Sequence, residues 1–187
     1  MIFQRASRNP SKPSTKIKTV LKVKNSAEVV ERFEKYREKV KKKAYEQYKR
    51  HPRSTVDGNE LLRFYGTTIV CCSEKSKQVS ELCKDPSCGA CRIIQSKFNT
   101  DYTRRNGIRL STSSEDLSEN MNATISVKNI KRAAIVCRTI AGSRVNVMDE
   151  EYAYFDSVGS EGLLSNINFL ILGNPNAVLP CFVIVFD

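Results

Sequence analysis

The sequence predicts an α+β fold, one domain whose strands are mostly antiparallel and half buried. Two observations carry this. A single long amphipathic helix pattern stands near the start, and after it the chain turns to runs rich in β-branched and aromatic residues: "LLRFYGTTIVCC", "AAIVCRTIAG", "NFLIL" and "LPCFVIVFD". With 187 residues, 40% hydrophobic and 27% charged, the chain is long enough for a real core and ordinary for a soluble globular protein.

Residues 1–15 read as a flexible basic arm, because "RASRNPSKPSTK" is polar and broken by two prolines. Residues 16–187 then form the single domain. "IKTVLKVKN" alternates apolar and basic residues and predicts a strand through Ile17, Val20, Leu21 and Val23. "NSAEVVERFEKYREKVKKKAYEQYKR" predicts a helix with Asn25 or Ser26 as its cap, acidic residues early and lysines late. Val29, Phe33, Tyr36, Val40, Ala44 and Tyr48 follow a three-to-four spacing and mark its core-facing stripe. "HPRSTVDGNE" ends the helix at Pro52 and Gly58, and the first strand-like run follows. A cysteine-rich stretch separates it from the second. "CRIIQSKF" predicts a short helix on the spacing of Ile93, Ile94 and Phe98, and "TSSEDLSENMN" a loop with a short helix from Ser113 or Ser114.

Charge is unevenly placed. Residues 1–56 hold 17 Lys and Arg against 5 Asp and Glu, whereas the remaining residues hold 14 against 15, so the whole excess of +11 lies in the first third. Such asymmetry favours an acidic partner. Lys39, Lys41, Lys42, Lys43, Lys49 and Arg50, opposite the apolar stripe, are the candidate nucleic-acid contacts. Contacts of that kind bind phosphates weakly and without reading sequence. No apolar run approaches the length of a membrane span, so no membrane association is expected. The start lacks the apolar stretch of a signal peptide, which predicts a cytoplasmic or nuclear protein.

In such a compartment the seven cysteines are expected as thiols or metal ligands. Cys71, Cys72, Cys83, Cys88 and Cys91 lie within 21 residues, the last two as "CGAC" around Gly89. Two thiolates two residues apart can hold one ion from a tight turn, and four soft ligands favour zinc in a closed structural site. One of the five is spare. Cys137 and Cys181 read as ordinary buried thiols.

The order of segments resembles the catalytic domain of poly(ADP-ribose) polymerases across nearly the whole chain. "IKTVLKVKNSAEVVERFEKYREKV" is similar to the family's opening strand and helix, "NELLRFYGTT" to its "NE..LFHGT" strand, and "FNTDYTRRNGIRLSTSS" to its "GF…G.GIYF" segment. "RAAIVCRTIAGS", "YFDSVGS" and "NFLILGNPNAVLPCFVIVF" resemble the strands and loop that follow. A closer resemblance is to plant proteins that carry such a domain behind a C2H2 zinc finger. They share "DGNELLR", "CRII", "VCR.IAG" and "NP.AVLPCF", and use a cysteine at the place of Cys71. The resemblance thus selects Cys71, Cys83, Cys88 and Cys91 as ligands. No C2H2 finger occurs here, where His51 is the one histidine. The architecture implied is the split antiparallel sheet of ADP-ribosyltransferases with an N-terminal helix and a Cys-rich zinc-binding insertion at about 71–91.

That family transfers ADP-ribose from NAD with a histidine, a stacking tyrosine and a glutamate. Here those positions fall on Tyr65, Arg109 and Asn168, with Asn166 the alternative for the last. Arg109 would set a fixed cation beside the positively charged nicotinamidium, and an asparagine cannot supply the carboxylate that an oxocarbenium-like centre requires. Gly66 is the one matching position whose backbone would suit the nicotinamide. The expectation is therefore a catalytically inactive, zinc-stabilised module for a protein or nucleic-acid partner, nuclear more than cytoplasmic, with NAD not expected as a cofactor. The alternative is an atypical mono-ADP-ribosyltransferase.

Overall fold

A computed structural model describes residues 16–46, 52–71, 78–79, 82–114, 130–146, 156–160 and 169–186. Strand β1 (Ile17–Val23) leads into helix α1 (Ala27–Glu46) and a single helical turn, α2 (Ser54–Asp57). Strands β2 (Glu60–Ile69) and β3 (Gln78–Val79) precede two short helices, α3 (Gly89–Gln95) and α4 (Asp101–Asn106). The remaining strands are β4 (Ile108–Ser111), β5 (Lys131–Ile140), β6 (Arg144–Asn146), β7 (Ser157–Ser160), β8 (Phe169–Leu172) and β9 (Val178–Phe186). They form one sheet in the order β3-β1-β9-β5-β2-β4-β8-β7-β6. Every pairing from β1 to β7 along that order is antiparallel, and only the edge strands β3 and β6 run parallel to their neighbours.

The sheet is nearly divided in two. β2 and β5 pair along their full length, from Glu60↔Ile140 to Ile69↔Lys131, whereas β2 meets β4 at Phe64↔Ser111 alone. Beyond that pair, towards Tyr65 and Gly66 on β2 and Arg109 on β4, no ladder continues.

Helix α1 lies on one face of the sheet as its stripe requires. Phe33, Val40 and Ala44 are buried, and Val29 and Tyr36 pack half-buried against the same core. Ser26 is the cap, its Oγ accepting from the Val29 N–H at 3.4 Å, while Asn25 donates instead to the Pro180 carbonyl at 2.7 Å. Tyr48 lies outside the described residues, as do residues 115–122 of the segment read as a polar loop. Among the described residues no helix is long and apolar enough to cross a membrane.

Strands β5 and β9 bury both faces. Ala133, Ile135, Cys137, Val183 and Val185 join the main core, while Ala134, Val136, Ile184 and Phe186 form a second cluster behind the sheet. Their near-continuous apolar runs follow from this double burial. The predicted helix around "CRIIQSKF" is shorter than its spacing implied. It stops at Gln95, after which Lys97 and Phe98 take left-handed φ values of 54° and 61° and the Phe98 N–H returns to the Ile93 carbonyl at 3.0 Å. Phe98 still reaches the core, 1% exposed, by this turn rather than by helical periodicity.

A charged knot ties α1 to the sheet. Arg138 donates through Nε to one Glu60 oxygen at 2.6 Å and through its NH2 nitrogen to the other at 2.9 Å, and Arg37 of α1 bonds the same carboxylate. Both guanidinium groups also lie over the Phe33 ring, at 5.1 and 5.3 Å. Burial pushes the Glu60 carboxyl up, but the Arg138 hydrogen bonds and the two positive charges outweigh it and hold it below its ordinary 4.5. A carboxyl lowered in the folded state contributes stability that is complete above its unfolded value and is lost as pH falls through the folded one. Glu60→Gln should therefore cost stability at neutral pH, and the gap to the parent protein should close on acidification below about pH 4.5. Urea unfolding across a pH series measures this, and a pH-independent gap would contradict it.

Candidate metal centre

The four sulfurs of Cys71, Cys83, Cys88 and Cys91 lie within 4.8 Å of one another. Cys71 comes to the cluster at the end of β2, where the Cys71 Sγ is 3.4 Å from Cys91 Sγ and 3.7 Å from Cys88 Sγ. Four sulfurs at a zinc–sulfur distance of about 2.3 Å in a tetrahedron stand about 3.8 Å apart, so the cluster has the size a zinc ion needs.

Local chemistry builds each ligand position. In "DPSC" the Asp85 carboxylate accepts from the Ser87 N–H at 2.9 Å and Ser87 Oγ at 2.6 Å, and the Asp85 carbonyl accepts from the Cys88 N–H at 3.1 Å. This turn delivers Cys88 as the residue preceding α3, and Cys91 follows one helical turn later on the same face. Gln95, at the end of α3, donates to the Cys83 carbonyl at 3.0 Å and fixes the remaining loop. Cys88 and Cys91 are buried, Cys83 is half-buried and Cys71 is exposed. Cys72 lies outside the described residues.

Gly89 serves this site differently from the expected tight turn. A Cβ there would sit 2.4 Å from Thr67 Oγ1 and 3.1 Å from Thr68 Oγ1. Glycine is required because the start of α3 presses onto β2, which brings Cys88 and Cys91 to Cys71.

Electrostatics also suit a cation. Burial pushes the Cys88 thiol up, but N–H groups of Val70, Cys91 and Cys71 directed at its sulfur more than offset this, leaving it at about 7. Burial raises Cys71 to about 11 and raises Cys91 as well. One thiolate thus forms readily among neighbours that resist a second negative charge, and a divalent cation relieves that repulsion. Cys137 stands apart, fully buried, and its thiol donates to the Ile135 carbonyl at 3.6 Å.

Of the other sequence candidates, Tyr65 and Gly66 lie on β2 and Arg109 on the neighbouring strand β4. Tyr65 turns its ring onto Phe98, edge to face, with centroids 5.3 Å apart. Burial raises its hydroxyl pKa above 10. Gly66 follows it on β2, opposite Ala134 of β5. Arg109, exposed on β4, places its guanidinium 4.0 Å over the Phe169 ring of the adjoining strand β8. Asn166 and Asn168 lie outside the described residues, as do Lys49 and Arg50. Lys39 and Lys42 are exposed on α1, but Lys41 pairs with Glu38 and Lys43 with Asp156, each at 2.9 Å.

Lys43 belongs to a structural knot that sequence reading missed. Asn59 donates to the Gly142 carbonyl at 3.1 Å, the Gly142 N–H to the Gly58 carbonyl at 2.9 Å, and Ser157 Oγ to the Ala141 carbonyl at 2.7 Å. "DGNE", "AGS" and "DS" thus meet in space, and their pattern serves chain packing. No protein-family model matches the chain, and no curated protein matches it.

Proposed function

We propose that this chain is a non-catalytic ADP-ribosyltransferase-like module, stabilised by a structural zinc ion, that acts by binding a protein or nucleic-acid partner. The observation that carries the reading is Arg109. At the place where the resemblance puts the nicotinamide-stacking tyrosine stands a cation already stacked on Phe169. A positively charged nicotinamide ring would meet repulsion there instead of a π surface. Tyr65 supports the same reading, because its ring is committed to Phe98 where the family places a ribose-binding histidine. Asn168 lacks the negative charge that the reacting ribose needs, whichever of Asn166 and Asn168 takes that place.

Cys71, Cys83, Cys88 and Cys91 would hold the zinc, which supplies a cross-link between β2 and α3 and no chemistry. The test is calorimetric titration with NAD together with an assay for transfer of labelled ADP-ribose. Neither binding nor self-modification is expected. Label transfer that disappears in Arg109→Ala or Asn168→Ala would overturn the reading in favour of an atypical mono-ADP-ribosyltransferase.

A further inference from the structure

Away from the cysteines, a groove of about 230 Å³ opens between the start of α1, the end of α3 and the turn that precedes β9. Its floor is apolar, with Val29, Ile94, Phe98 and Val178 among the lining residues. Its rim is cationic, with Lys24, Arg32 and Lys97. Lys97 is partly neutralised by Glu28, at 3.0 Å. Arg32 carries a buried Nε that has no hydrogen-bond partner among the described residues. The groove also lies at the positive end of a 20-residue helix.

Size and charge restrict what fits. Pockets that bury a drug-sized ligand run to roughly 300–1,000 Å³, so this groove is too small to bury a dinucleotide but large enough for one apolar side chain. Its cations lie at the margin, where groups flanking that side chain would pass. We infer that the groove receives an acidic peptide segment, inserting one aliphatic side chain over Val29 and Phe98 while flanking carboxylates meet Lys24 and Arg32. The inference rests on the reading of the domain as a protein-binding module and names the chemistry of its partner. An aliphatic anchor supplies the affinity through burial, and the carboxylates supply orientation and on-rate.

The test is fluorescence anisotropy of the full chain with a fluorescein-labelled peptide, Gly-Asp-Glu-Leu-Asp-Glu-Gly. Saturable binding with Kd on the order of 10–100 µM is expected. Exchanging the leucine for serine should weaken it by about tenfold or more, because the lost burial is that of one aliphatic side chain. Arg32→Gln, and separately the surface change Lys24→Glu, should each weaken it by about threefold to tenfold at low salt. Absence of saturation, or equal affinity for the serine peptide, would overturn the inference. So would indifference to both protein variants, or displacement by single-stranded DNA irrespective of the leucine, which would assign the charge to nucleic acid. Peptide failure in a protein inert towards NAD overturns the groove alone. Transfer of ADP-ribose overturns the reading of the domain whatever the peptide does.

Discussion

Replacing Cys88 or Cys91 by serine is expected to remove the zinc and with it a large part of the protein's thermal stability. The purified parent should carry about one zinc per chain by elemental analysis. Cys88, just before α3, and Cys91, within it, are the two buried sulfurs of the cluster, held against β2. Removing either thiolate leaves three ligands and, inside, a hydroxyl that binds zinc far less well. An ion held by the four sulfurs would fasten the end of β2, the Cys83 loop and α3 at one point, so its loss would free all three. Loss of a structural metal belongs with the largest single-residue effects, about 4 kcal/mol or more, which for a chain of this size is about 10 °C or more in Tm. Cys72→Ser is the matched control and should change neither zinc content nor melting, because the cluster with Cys71 already has four sulfurs. Metal-free protein that melts like the parent, or zinc retained in both Cys88→Ser and Cys91→Ser, would sink the assignment.

Gly142→Ala is expected to cost about 3 kcal/mol or more, the second large effect. Two penalties coincide at this position. Its φ of 58° is left-handed, which costs an L-residue roughly 1–2 kcal/mol. Its added Cβ would also lie 2.3 Å from Asp156 Oδ2 and 2.6 Å from Asp156 Cβ. Asp156 cannot step aside cheaply, since one carboxylate oxygen accepts from the Ser143 N–H at 2.9 Å and the other from Lys43. Displacing it breaks the ion pair to α1 and loosens the knot of Asn59, Gly142 and Ser157. Gly173→Ala provides the contrast, because a Cβ there meets nothing within 4 Å, and a change within about 0.5 kcal/mol is expected. Urea unfolding of both variants measures the difference. Equal stabilities would mean that the backbone at Gly142 relaxes freely.

What the sequence determined by itself is local. The α1 stripe was legible because helical periodicity places Phe33, Val40 and Ala44 on one side whatever they pack against. The main strands were legible in the same way, and so was the cysteine cluster, since "CGAC" brings two sulfurs together within one turn. Short elements escaped. α4 has six residues, and its visible signal was the Thr100–Thr103 capping box, whereas β6 and β7 have three and four residues and hold too little periodicity to register.

Only the tertiary structure decided the rest, because it depends on residues distant along the chain. Sheet order follows from which strands close over long loops, and the single ladder pair Phe64↔Ser111 between β2 and β4 leaves no local trace. How Cys71 reaches the other three sulfurs depends on where β2 ends relative to α3, and the need for Gly89 on how closely those two elements approach. Lys43 reads as one more exposed lysine until the fold carries Asp156, 113 residues away, to within 2.9 Å of it. Side-chain type and spacing fix what a segment can bury or ligate. Which partner it meets is settled when the chain closes on itself, since a contact across a long loop has no periodicity to announce it.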